Sequence, residues 1–227
     1  MNTDEILAQL RDLADPTYLP KMQRFGIPTD QALGIRMPVL RQLAKPYHKQ
    51  HELALDLWDS EIHEARILAT LVDDYRQVTE EQMENWVADI HSWDLCDQVC
   101  GNLFWRTPFA YQKSAEWCQR SEEFVKRAGF VLMTALVIHD KEAPDERFIE
   151  FFPYLEMEAY DNRNFVKKAI NWMLRQTGKR SLTLNQKAVD LANQIAQQEY
   201  PSARWIAQDA LRELQSEKIQ ARLNKKR

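Results

Sequence analysis

Phe124-Val125-Lys126-Arg127-Ala128 returns 41 residues later as Phe165-Val166-Lys167-Lys168-Ala169. Ile206-Ala207-Gln208-Asp209-Ala210 lies a further 41 on, and His63-Glu64-Ala65-Arg66-Ile67 is an earlier, looser echo. A period near 40 with two helices per period is the signature of HEAT-type repeats. Such pairs stack into a solenoid whose inner helices line a concave face. The expected fold is therefore all-α: a right-handed α-solenoid of HEAT-like helical repeats forming one domain over residues 1–227. A non-repetitive helical bundle is the alternative.

The rest of the chain agrees with helices. Glycine is scarce, at 5 of 227 residues, and good helix formers recur throughout. No Asn-Gly or Asp-Gly turn joins two alternating apolar runs. Thr79-Glu80-Glu81-Gln82 matches a capping box. Ser92 caps the following helix, which the pattern carries to about Trp105. Pro38 suits the first turn of another. Pro144 to Leu155 and Ser202 to about Asn224 each read as one helix. No apolar run approaches the roughly 20 residues that span a bilayer, and the acidic start lacks the layout of a signal peptide. Three cysteines make an odd count with no disulfide framework. The expectation is a monomeric cytoplasmic protein with reduced thiols and no membrane partner.

The net charge of −4 hides an asymmetry. Residues 1–90 carry 9 basic and 16 acidic side chains, net −7, and residues 91–227 carry 21 and 18, net +3. Between Asn162 and Lys187 stand Arg163, Lys167, Lys168, Arg175, Lys179, Arg180 and Lys187 with no Asp or Glu. That stretch predicts an anion-attracting surface; a solvated helix face is the plainer reading.

Three helices carry candidate chemistry. In the helix after Ser92, Leu95, Val99 and Leu103 mark the core side, while Trp93, Asp97, Cys100 and Phe104 fall on another face at i, i+4, i+7 and i+11. In the basic helix Val166, Ala169, Ile170, Met173 and Leu174 make the core side. Lys168, Trp172, Arg175 and Lys179 lie opposite, where a Trp among cations is placed to meet a base or sugar while its neighbours hold phosphates. Arg127 sits in a strongly apolar helix, where a guanidinium needs either a carboxylate or a phosphate. Repeat register makes Arg127 and Lys168 equivalent, so these side chains would line successive inner helices as a basic, aromatic groove with Asp97 in it.

Several blocks, in this order and spacing, resemble the AlkD-like DNA alkylation repair glycosylases. They are Leu33-Gly34-Ile35 with Pro38 and Arg41, Leu57-Trp58 with Glu64, Ser92-Trp93-Asp94-Leu95-Cys96-Asp97, Phe124 to Ala128, and Phe165 to Arg175. The resemblance covers roughly residues 20–180. It implies excision of positively charged N3- and N7-alkylated purines from double-stranded DNA, without swinging the base into a pocket and without cofactor or metal. It implies cleft tryptophans at Trp93 and Trp172, a catalytic aspartate at Asp97 and a phosphate-binding arginine at Arg127. Lys167, Lys168, Arg175 and Lys179 are the further expected DNA contacts. The chain is more acidic than that resemblance leads one to expect, and Cys96 and Cys100 flank Asp97.

Other readings differ in class. His48 and His51 have i, i+3 spacing but no evident partner set for a metal. A noncatalytic HEAT-repeat binder of DNA structures and a protein-binding HEAT scaffold both fit the repeats.

Overall fold

The computed structural model describes residues 3–225. Among them every regular element is helical. The helices cluster into two compact units, Met1–Pro108 and Phe109–Arg227.

The amino-terminal unit contains α1 (Thr3–Asp12), α2 (Leu19–Arg24), α3 (Met37–Ala44), α4 (His51–Asp59), α5 (His63–Val72), α6 (Glu80–Ala88) and α7 (Trp93–Asn102). Helix α5 packs on α3, α4 and α7. Its first turn explains why Leu33-Gly34-Ile35 and Glu64 occur together. The Glu64 carboxylate, 1 % exposed, accepts the backbone N–H groups of Leu33, Gly34 and Ile35 at 2.8, 2.7 and 3.1 Å. A buried carboxylate needs such donors, and a loop ahead of a helix has N–H groups to spare. Gly34 meets this geometry with φ +80°, and a Cβ there would lie 2.2 Å from the Asp15 carbonyl oxygen. Behind α5, the indole rings of Trp58 and Trp86 stack at 4.0 Å between centroids, joining α4 to α6.

Local signals are met in part. Thr79 Oγ1 accepts from Gln82 N at 3.1 Å, as a cap should. The Gln82 side chain does not return the bond; it donates to Asp73 Oδ2 at 2.8 Å. His51 Nδ1 meets the other oxygen of Asp73 at 2.7 Å, so His51 serves the packing of α4. Helix α7 ends at Asn102, and a 3-10 turn, Phe104–Arg106, replaces its expected last turn.

The carboxy-terminal unit contains α8 (Ala110–Trp117), α9 (Glu123–His139), α10 (Asp145–Ile149), α11 (Phe152–Glu158), α12 (Asn164–Gly178), α13 (Leu182–Ile195), α14 (Pro201–Leu214) and α15 (Glu217–Asn224). Pro144 to Leu155 is thus two short helices rather than one, and the last expected helix breaks between Leu214 and Glu217. The 41-residue echo is physical. Helices α9, α12 and α14 pack side by side in that order. The equivalent rings of Phe124 and Phe165 lie 5.5 Å apart. Every residue of α9 from Val125 to Val137 is buried, as expected of a helix covered on all sides. Close approach to α8 needs Gly129, because a Cβ there would lie 2.3 Å from Cys118 N.

Both glycine and carboxylate roles are testable. Gly129→Ala should cost about 2 kcal/mol by overpacking. Glu64→Ala should cost about 3 kcal/mol or more by stranding backbone donors. Urea unfolding of each variant against the parent checks both values.

Candidate functional site

Helix α7 places Trp93 in its first turn and Asp97 one turn later; both are half-buried. Leu95, Val99 and Leu103 are buried as expected. The opposite stripe, however, is only half open: Cys100 and Phe104 are fully buried, since α7 is covered on both flanks at its carboxyl end. Trp93 is not loose on the surface. Its indole Nε1–H donates to the Phe25 carbonyl at 2.9 Å, which pins the ring against the chain following α2.

That pinned ring is one wall of a cavity of ≈ 420 Å3. Tyr18, Phe25, Ile35, Ile67 and Gln98 line it too. The carboxylate in the lining is Asp94; Asp97 is not among the lining residues. Asp94 Oδ2 pairs with His63 Nε2 at 2.9 Å, tying α7 to the first turn of α5. Burial by itself would depress the His63 pKa. The hydrogen bond and charge of Asp94, with help from Glu64 and against Arg66, outweigh it, and the pKa is raised. Burial likewise pushes Asp94 up, but the hydrogen bond and charge of His63 prevail and hold it below its ordinary value. Asp94 and His63 could not be paired from sequence, because a carboxylate beside Trp93 and a histidine 31 residues earlier share no helix period.

The second set of expected residues lies on α12 and α9. Lys168 is exposed and Trp172 half-buried. With the Gln176 amide oxygen turned toward them, Trp172 Nε1 and Lys179 Nζ donate to it at 3.0 and 3.3 Å. Lys167 lies over the Trp205 ring, 5.7 Å from its centroid. Three of the expected phosphate contacts, Arg127, Arg175 and Lys179, have partners within the protein. Arg127, 5 % exposed, donates through Nη1 to the Phe165 carbonyl at 2.7 Å, because its equivalent place on α9 is covered by α12. Arg175 meets Glu213 at 2.7 Å and Asp209 at 3.7 Å. Lys179 meets Glu213 at 2.8 Å. The stretch without acids is balanced by acids of the next repeat, a repeat away in sequence. Asp161 likewise takes Arg163, and Arg180 donates to the carbonyls of Val137 and Ala143.

No cluster of three or more His, Cys, Asp or Glu side chains that could hold a metal occurs among the described residues. Cys96, Cys100 and Cys118 are buried and form no disulfide, and burial pushes the Cys118 thiol up to about 12. No helix among the described residues is long and apolar enough to cross a membrane.

The His63–Asp94 pair makes a pH prediction. A raised folded-state pKa means that His63 contributes stability fully below its unfolded value of about 6.5. That contribution fades as pH rises through the folded value. Melting temperature should therefore fall as pH rises from about 6 to 9, and His63→Gln should flatten the slope; thermal melts across that range check it.

The family model described as DNA alkylation repair enzyme matches residues 6–215. No curated protein matches the chain. A solved structure with TM-score 0.79 covers 98 % of this chain and 96 % of its own at 17 % identity. It belongs to a family of proteins related to the HEAT-like repeat DNA glycosylases, with affinity for branched DNA structures. The all-α, HEAT-like repeat solenoid is thereby the fold of this chain.

Proposed function

The chain belongs to the DNA alkylation repair enzyme family, and from that premise we propose that it is a DNA glycosylase. Its substrates are positively charged N3- and N7-alkylated purines in duplex DNA, and Asp97 is the catalytic carboxylate. The observation that carries this reading is the pair on α7: a Trp93 ring held by its N–H, with Asp97 one turn further on and partly open to solvent. An alkylated purine is a cation and leaves with the glycosidic electron pair as a neutral base. No strong acid is needed. Positive charge then builds on the sugar, where a carboxylate stabilises the oxocarbenium-like transition state. Water adds to the anomeric carbon and gives up one proton to the carboxylate or to solvent. An aromatic face beside the cation adds about 0.5–2 kcal/mol, the part assigned to Trp93 and Trp172. Lys167 and Lys168 would hold phosphates, as the exposed or half-exposed cations of α12.

A second reading is a noncatalytic binder of DNA structures. It is favoured by the internal engagement of Arg127, Arg175 and Lys179, and by the affinity for branched DNA of the solved relative. One assay separates the two. Methylated duplex DNA should release 7-methylguanine or 3-methyladenine, and Asp97→Asn should slow release by about 100–1,000-fold, the loss typical of a charge-stabilising group. No release by parent protein that binds the same duplex would leave the binder.

The ion pairs on α12 make a further prediction. Glu213→Gln removes the ion pair of Lys179 and leaves Arg175 only its longer contact with Asp209, so both cations become more available to phosphates. DNA affinity should rise and its logarithm should fall more steeply with log salt, by about one to two further phosphate contacts. Fluorescence anisotropy at several salt concentrations measures both.

A further inference from the structure

The cavity beside Trp93 has a chemistry that the proposed excision does not use. Its ≈ 420 Å3 falls within the roughly 300–1,000 Å3 of small-ligand sites. Three aromatic side chains, Tyr18, Phe25 and Trp93, line it, and Phe25 is 56 % exposed. Aromatic faces are the usual platform for an unstacked base.

The polar groups fit the same ligand. Asp94 and Gln98 also line the cavity, one helical turn apart on α7. Asp94 offers an acceptor. Gln98 Oε1 already accepts from Asn102 Nδ2 at 3.1 Å, and Asn102 is itself bonded to Thr70, so the Gln98 NH2 is the end left for a ligand. An acceptor and a donor side by side match the adjacent donor and acceptor on a base edge. Lys21 and Arg36, the latter 3.8 Å from Asp15, also line the cavity. Both are exposed, and both lie over the Tyr18 ring, at 5.4 and 5.0 Å from its centroid. They are cations at the place where a phosphate attached to a stacked base would emerge.

We infer that this cavity binds one unstacked nucleotide. The base lies against Trp93, Tyr18 and Phe25, its edge meets Asp94 and Gln98, and its phosphate meets Lys21 and Arg36. The occupant is an ordinary unpaired nucleotide, either within a strand or free, and not the alkylated base. The inference thus goes beyond the proposed excision and does not need it.

The test uses unmodified ligands only. The parent protein is titrated with deoxyadenosine monophosphate, with a fully paired duplex, and with the same duplex carrying one extrahelical adenine. Anisotropy reports affinity. The Trp93 indole N–H resonance, assigned through Trp93→Phe, reports the cavity. The bulged duplex should bind about 10-fold more tightly than the paired one, the value of one stacked base. It should also shift the Trp93 resonance. Tyr18→Ala and Phe25→Ala should each remove most of that excess while leaving melting temperature and paired-duplex affinity unchanged. A shift with the mononucleotide alone, lost in Tyr18→Ala, would identify a free nucleotide as the occupant and also support the site. A Trp93 resonance unmoved by any of these ligands, or a bulge preference that survives both variants, would overturn it.

Discussion

The first turn of α5 fastens the candidate site in the amino-terminal unit. Glu64 holds the loop before α3 by three backbone N–H groups. Its neighbour His63 holds α7 through Asp94. Two adjacent residues thus pull the chain before α3 and the start of α7 toward one helix. Trp93 closes the arrangement by donating to Phe25. A buried carboxylate without those N–H groups would cost several kcal/mol, so the loop and α5 are fixed together or not at all. The orientation of Trp93, and of Asp97 one turn on, follows from that constraint.

In the carboxy-terminal unit the same economy links repeats. Arg127 reaches from α9 to a carbonyl of α12. Lys126 on α9 forms a buried ion pair with Glu158 and approaches Asp161 at 3.9 Å. Asn171 reaches from α12 to the Ile206 carbonyl on α14 at 3.1 Å. Polar side chains of one repeat meet the backbone or acids of the following repeat. They stabilise the stacking that the hydrophobic faces begin. A cation at such a position is first a structural link, and only those left over, such as exposed Lys168, are open to a phosphate.

This division explains what was legible beforehand. Helix content and repeat period could be read from Phe124 to Ala128 and its echoes, because a HEAT-like unit repeats its own core spacing. Trp93 and Asp97 could be placed on one helix face by periodicity alone. The partners of Arg127, Arg175 and Lys179 could not, since Phe165, Asp209 and Glu213 lie about 34 to 38 residues away on a neighbouring helix. Asp94 and His63 were missed for the same reason. The break within 144–155 was marked by Pro153, since a proline ends the helix before it and suits the first turn of the next; the break after Leu214 was not, because Ser216 precedes a helix that looks continuous with the last.

The central claim is that Asp97 acts on positive charge developing at the sugar. The most direct measurement compares two duplexes without an alkylated base, one with a neutral tetrahydrofuran abasic site and one with a pyrrolidine analogue whose ring nitrogen is protonated. Mimics of a transition state bind more tightly than the ground state. The account predicts at least about 10-fold tighter binding of the cationic sugar, with the preference lost in Asp97→Asn and retained in Asp94→Asn. Equal affinity for the two duplexes, or a preference that survives Asp97→Asn, would contradict it.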